Sequence, residues 1–245
     1  MTVFDDLAAE QERLAGILGG LDEAQWMSPS GADGWSVADV VLHLAQSEES
    51  VVIAVAGGDP RAGAGQAPGG TVDERVDFLV RAERAAPDAV FGRWQRARRA
   101  ALDALRAADP DRPLAWVAAP VKPATLATTR LAEHWAHGLD VTGPLGVEFP
   151  DTERLRHIAW LAHRTLPYAM ALAGEQPAQV WCELTAPDGT SVWEFGSPEA
   201  GSAIAGPAGD FCRVAAHRLA PGSARLRTTG PDGPSALRLL RTYAE

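Results

Sequence analysis

Apolar residues recur at helical spacing through the first two-thirds of the chain and at every second position in parts of the last third, so helices are predicted first and strands afterwards. Phe4, Leu7, Leu14, Ile17 and Leu18 form one stripe, opened by Thr2 with Asp5 and closed by Gly19-Gly20. A second helix opens at Ser36 with Asp39 and carries Val37, Val40, Val41, Leu44, Val51, Val52 and Val55. It is apolar over much of its circumference, which predicts burial between neighbours. Gly57-Gly58-Asp59-Pro60 ends it and begins a Gly/Pro/Ala-rich loop running to Gly70, long enough to suggest a lid or an insertion.

Thr71 and Glu74 make a capping box for a third helix through Phe78, Leu79 and Val80. Asp88 is the expected cap of a fourth, carrying Val90, Phe91, Trp94, Leu102 and Leu105 and broken at Asp109-Pro110. After an extended linker over 113–123, a fifth helix runs from Ala124 past His137 with Leu126, Leu131, Trp135 and Leu139. Thr152 begins a sixth through Leu155, Ile158, Leu161, Leu166 and Met170. These elements predict an up-down helical bundle over 1–174.

The period then changes. Val180-Trp-Cys-Glu-Leu184, the turn Pro187-Asp-Gly189 and Val192-Trp-Glu-Phe195 read as a β-hairpin. A short strand around Ile204, a helix over 210–218, a strand over 225–228 and a last helix over 235–243 complete a small α+β domain, 175–245. The fold class is mainly α, with the boundary expected near Gly174-Glu-Gln-Pro177.

With 245 residues and 46% hydrophobic content, the chain can bury a core without disulfide staples. Its two cysteines, Cys182 and Cys212, lie in apolar surroundings without metal-knuckle spacing, so buried thiols and a reducing, cytoplasmic setting are expected. The N-terminus lacks the pattern of a signal peptide, and Arg, Asp and Glu interrupt every alanine-rich run, so no membrane span is expected. A net charge of −10 opposes nucleic-acid binding, and the arginines at 93, 96, 98 and 99 read as a solvated helix face. The expected partner is a small-molecule substrate. The pattern fixes no oligomeric state.

Glu133 and His137 stand four apart, on one face of the fifth helix, and His43 sits inside the apolar second helix. Two histidines and a carboxylate from facing helices can hold one divalent metal with open coordination. Taken alone, the Glu-x-x-x-His pair is weak evidence, since it is also an ordinary surface stabiliser that Arg130 extends into a row, and a lone His43 on an apolar helix is more often a hydrogen-bonded core residue than a ligand. An unpaired carboxylate inside a bundle would be heavily penalised, which a metal charge relieves. Gln46 and Ser47, one turn beyond His43, are candidates to line the same cavity, and Asp140, one turn beyond His137, is a candidate acceptor for its second ring proton. His134 points about 100° from Glu133 and reads first as a helix-surface histidine, second as a pocket residue.

Gly34-Trp-Ser-Val-Ala-Asp39, Val41-Leu-His43-Leu and Glu133-His-Trp-Ala-His137-Gly-Leu-Asp140 resemble the DinB-like, mycothiol-dependent maleylpyruvate isomerase family of actinobacteria. The likeness is strongest to a branch without a settled activity, which Leu184-Thr-Ala-Pro-Asp-Gly189 and Gly206-Pro-Ala-Gly-Asp-Phe-Cys212 match as well. The resemblance implies a DinB-like bundle holding a divalent metal, expected to be Zn, through His43, Glu133 and His137. It further implies a small sterol-carrier-protein-like C-terminal domain, and mycothiol as a thiol cosubstrate. In such isomerases the thiol adds to the double bond of maleylpyruvate, permits rotation and leaves again. The chain departs from the family pattern at His134 and Leu139, which points to a specialised substrate.

The expected function is therefore isomerase or thiol S-transferase chemistry on a small electrophilic or polar metabolite. A thiol-independent metal hydrolase or biosynthetic cyclase uses the same ligands, and the donor set also matches that of non-haem iron(II) oxygenases. A non-catalytic binder of hydrophobic ligands with a structural metal is the third alternative. Arg218 is a candidate partner of a substrate carboxylate, or else a cation at a helix C-terminus.

Overall fold

A computed structural model of the chain describes residues 2–60, 70–117 and 119–243. The suggested lid between Gly58 and Gly70 falls almost entirely outside the described residues. The chain forms two compact units, one ending at Phe149 and the other running from Pro150 to Tyr243.

The first unit is helical: α1 (Val3–Leu18), α2 (Glu23–Met27), α3 (Val37–Val55), α4 (Val72–Ala82), α5 (Pro87–Ala107) and α6 (Pro123–Leu145). Capping boxes open α1 at Thr2/Asp5, α3 at Ser36/Asp39 and α4 at Thr71/Glu74, as the sequence predicts. A further box at Asp22/Gln25 opens the short α2, which the periodicity of five residues is too brief to reveal. The α5 start differs from expectation: Ala86 is the N-cap and Pro87 the first helical residue, so Asp88 lies within the first turn. Proline's fixed φ and missing N–H suit that first position better than a side-chain cap does. The same rule starts α6 at Pro123 after Lys122. The segment expected as a plain linker is pinched by a bridge between Leu114 and Val121.

Packing follows the stripes. α3 lies chiefly against α5, and α1 against α6. Leu14, Leu18, Trp26, Val40, Val41, Leu44, Trp94 and Val141 share one buried cluster.

The second unit holds α7 (Leu155–Leu172), β1 (Val180–Thr185), β2 (Val192–Phe195), β3 (Ser202–Pro207), α8 (Ala208–Ala215), β4 (Arg227–Thr229) and α9 (Gly233–Leu239). The strands order β2-β1-β3-β4, antiparallel except for the parallel β1–β3 pair, in which Cys182 stands beside Ile204. Val180, Cys182 and Leu184 alternate inward from β1. The expected boundary near Gly174 lies inside this unit, because α7 packs on α8, α9 and β2. Arg154 precedes α7 as its N-cap, two residues beyond the predicted Thr152. The helix expected over 210–218 begins at Ala208 directly after Pro207 and ends at Ala215. No helix among the described residues is long and apolar enough to cross a membrane.

Candidate metal centre

Two helices and one turn build the site. The Ser36/Asp39 box fixes where α3 starts, and Asp39 is held in turn by the Arg84 guanidinium through two 2.8 Å bonds. His43 follows one turn later. On α6, Glu133 and His137 face it at the i, i+4 spacing. Glu133 Oε2 is the common apex, 3.5 Å from His43 Nε2 and 3.5 Å from His137 Nε2. The imidazoles meet edge to face with ring centroids 4.9 Å apart. One ligand atom from each of the three residues lies within 4.8 Å of the other two. The structure thus brings together the three residues that sequence reasoning singled out.

The two Glu133 spacings are open enough to admit a metal ion. A separation of 3.5 Å is long for a nitrogen–oxygen hydrogen bond. A tetrahedral ion bonded at about 2.0–2.1 Å sets neighbouring nitrogen and oxygen donors roughly 3.3 Å apart. Charge leads to the same conclusion. Between α3 and α6, the buried Arg130 is matched by Glu48, and Glu133 faces the two histidines of the cluster. A divalent cation would offset the Glu133 charge and would be held by neutral imidazoles, the form that ligates.

The neighbours set the protonation states. Burial lowers the pKa of His43, against the raising effect of Glu133. Burial opposes ionisation of Glu133, but the nearby His137 and His43, together with the Arg130 charge, outweigh that and hold it well below the usual carboxylate range. For His137, burial would depress the pKa, yet Asp140 and Glu133 raise it above that of a free histidine. His137 Nδ1 lies 2.9 Å from Asp140 Oδ2.

The turn before α3 also borders the cluster, which its sequence pattern alone does not reveal. Ser30 binds back to Trp35 through backbone and hydroxyl, and the Gly31 N–H donates to the Asp140 carbonyl at 2.7 Å. A Cβ at Gly31 would stand 3.0 Å from the Asp140 Cα, so the close approach favours glycine. Trp35 is thereby laid against both imidazoles of the cluster, its centroid 5.4 Å from His43 and 6.5 Å from His137, with its indole N–H on Asp77 at 2.9 Å. Trp35 also walls an open cavity of about 560 Å³ with Met27, Asp39, Leu42, Arg84 and Val90. The pattern Gly-Trp-Ser ahead of a capped helix was the available signal; the long-range stacking was not.

Other candidates fall elsewhere. Gln46 donates to the Leu79 carbonyl and to Glu83, so its amide serves α4. Ser47 is half-buried on the His43 face of α3. Arg130 is no member of a surface row: it is buried and bonded to Glu48 at 2.8 Å. His134, expected at the helix surface, is fully buried, with Nδ1 donating to the Arg130 carbonyl at 2.8 Å and Nε2 accepting from the Trp94 indole at 3.2 Å. Burial and the Arg130 charge depress its pKa to about 3. In the second unit, Arg218 Nη1 donates to the Ala216 carbonyl just past α8, the helix-end role weighed as its alternative. Both thiols are buried, and burial pushes Cys182 up to about 12 and Cys212 higher still.

Helices packed around a two-histidine, one-carboxylate cluster between α3 and α6, a group that could hold a metal ion, define a helical-bundle protein. Residues 7–142 match the family model for the mycothiol maleylpyruvate isomerase N-terminal domain, and the chain belongs to that family. Two uncharacterised proteins of Mycobacterium tuberculosis, from strains H37Rv and CDC 1551, are each 34% identical over 98% of this chain and 94% of their own length. Among solved structures, the mycothiol-dependent maleylpyruvate isomerase aligns with a TM-score of 0.61 at 15% identity, covering 95% of each chain. A variant of that isomerase with one histidine replaced by alanine aligns at 0.63 and 14%, with the same coverage. At those identities the likeness establishes the shared fold.

Proposed function

We propose that this chain is a divalent-metal enzyme, with Zn held by His43, Glu133 and His137, that uses mycothiol as thiol cosubstrate on a small electrophilic metabolite. Isomerisation by thiol addition and elimination, or transfer of the thiol to the electrophile, is the reaction class. The observation that carries the reading is Glu133 Oε2 poised 3.5 Å from the Nε2 atoms of both histidines. A bound Zn²⁺ supplies Lewis acidity that brings the pKa of a coordinated water to about 7 and acts in the same direction on a thiol.

The chain's own residues do the rest. Asp140 holds the His137 ring so that Nε2 is directed at the cluster. Trp35 covers both imidazoles and shields that side from water. The cavity that Trp35 walls, and that His43, Glu133 and His137 do not line, has the size of a small-molecule site. Cys182 and Cys212 are buried with raised pKa values, so neither is a ready nucleophile, which favours a thiol brought by a cosubstrate. The second-unit Arg218 is a candidate partner for a substrate carboxylate, Arg130 and His134 are candidates to support the site indirectly, and Ser47 is a candidate to line it, while the Gln46 amide is engaged by α4. Free thiols favour a cytoplasmic setting.

Elemental analysis of protein purified without chelator is the first test: one zinc per chain is expected, lost in a folded His43→Ala variant. Turnover of a maleylpyruvate-like electrophile is expected only with added mycothiol. Equal turnover without any thiol would overturn the thiol-dependent reading in favour of hydrolase or cyclase chemistry.

A further inference from the structure

α3 and α6 share a second polar contact besides the three ligands. Glu48 stands five residues beyond His43, and Arg130 three before Glu133. Arg130 Nε donates to Glu48 Oε1 at 2.8 Å, with side-chain exposures of 4% and 0%. The pair is extended to a third helix. His134, on the next turn of α6, donates from Nδ1 to the Arg130 carbonyl and accepts from the Trp94 indole of α5. Its Nδ1 also stands 3.6 Å from Glu48 Oε1. A buried chain of polar groups therefore runs from α5 through α6 to α3, one turn from the ligands on each side.

Stability is a poor reason for such a chain. A buried ion pair seldom recovers its desolvation cost beyond what apolar side chains of the same volume provide. Here Glu48 Oε2 and Arg130 Nη2 are buried without a hydrogen-bond partner among the described residues, which adds to the penalty. What a short charge-assisted bond does supply is a fixed distance and direction, where apolar contacts tolerate sliding. A metal site needs its donors held within about half an ångström.

We propose that Glu48 and Arg130 are positioning residues of the metal centre: their ion pair, steadied by His134 and Trp94, sets α3 against α6 so that His43 stays at coordination distance from Glu133 and His137. The proposal rests on the triad being a metal site. Neither residue touches the metal or substrate in this role; they act through the helices that carry the ligands.

The test uses the full-length chain, stripped of metal and titrated with Co²⁺ and then Zn²⁺. A Glu48→Met, Arg130→Met double variant replaces the pair by apolar side chains and avoids leaving one charge unmatched. With helix content retained by circular dichroism, it is expected to bind Zn²⁺ 10- to 100-fold more weakly. Its Co²⁺ visible absorption band is expected to change in position and intensity, a readout that a purely structural role would leave alone. Arg130→Lys, which keeps the charge but loses the planar fork, is expected to show a smaller change in the same direction. Wild-type affinity within threefold together with an unchanged Co²⁺ spectrum in the double variant would overturn the proposal. If the double variant does not fold, Arg130→Lys decides by the same two readouts. A wild-type chain that takes up neither ion would instead overturn the metal reading on which the proposal rests.

Discussion

His137 Nδ1 and Asp140 Oδ2 lie 2.9 Å apart, one turn along α6, and this contact selects the imidazole nitrogen that faces the cluster. With the Nδ1 proton committed to the carboxylate, the Nε2 lone pair is directed toward Glu133 and His43. Asp140 is itself buried, and its backbone carbonyl receives the Gly31 N–H. Asp140→Ala is expected to weaken Zn²⁺ binding about 10- to 100-fold with the helical content unchanged, as measured by competition against a chromophoric chelator. Undiminished affinity would reduce the contact to an ordinary i, i+3 pair.

Metal affinity should rise with pH. His137 has a raised pKa in the metal-free fold, so a proton and the ion compete for the same ring. The protonated form contributes stability to the metal-free chain that is complete below the unfolded histidine value of about 6.5 and is lost as pH climbs through the raised folded value. Zinc uptake near neutral pH should therefore release protons. Titration calorimetry in two buffers of different ionisation enthalpy reads this directly, and identical heats in both would contradict it.

His134 gives the opposite sign in a different window. Its folded pKa is depressed to about 3, so the unfolded chain binds more protons wherever pH lies between that value and 6.5. Stability of the metal-free chain should fall by about 1 kcal/mol per pH unit from this residue as pH drops through that range. His43, also depressed by burial, adds to the effect. Urea midpoints at pH 7 and pH 5 should converge in His134→Gln relative to the parent chain; an unchanged pH slope would show that His134 does not carry it.

Gly138 separates His137 from Leu139 and lies under the Phe149 ring. A Cβ there would come within 2.5 Å of the ring, whose face also carries the Arg13 guanidinium, 3.6 Å from the centroid. Gly138→Ala gains up to about 1 kcal/mol of helix propensity but overpacks the contact by about 1–3 kcal/mol, so a net loss of stability is expected. Adding Phe149→Leu should recover it. Thermal unfolding of the single and double variants measures both effects, and a stabilised single variant would refute the clash.

How far the chain can be read without its fold depends on the range of the interaction involved. Helical stripes, the capping boxes at Thr2, Ser36 and Thr71, the hairpin around Gly189 and the Glu133/His137 spacing are local, set by side chains within a few positions of each other. Each was legible as written. Starts governed by proline at Pro87 and Pro123 were misplaced by a residue or two because a competing aspartate or alanine gave an equally local signal. The His134 environment was missed for a different reason. Periodicity places a residue on a helix face but does not say what lies opposite, and here Trp94 and Glu48, 40 and 86 positions away, make that face interior.

Spacing within one helix can nominate Glu133 and His137 as a pair because 3.6 residues per turn leaves no other option for their faces. It cannot bring His43 to them across ninety residues, lay Trp35 on both imidazoles, or bury Arg130 against Glu48. Those contacts arise when α1, α3, α5 and α6 bury their apolar stripes together, since that packing fixes which polar groups are left facing one another between α3 and α6.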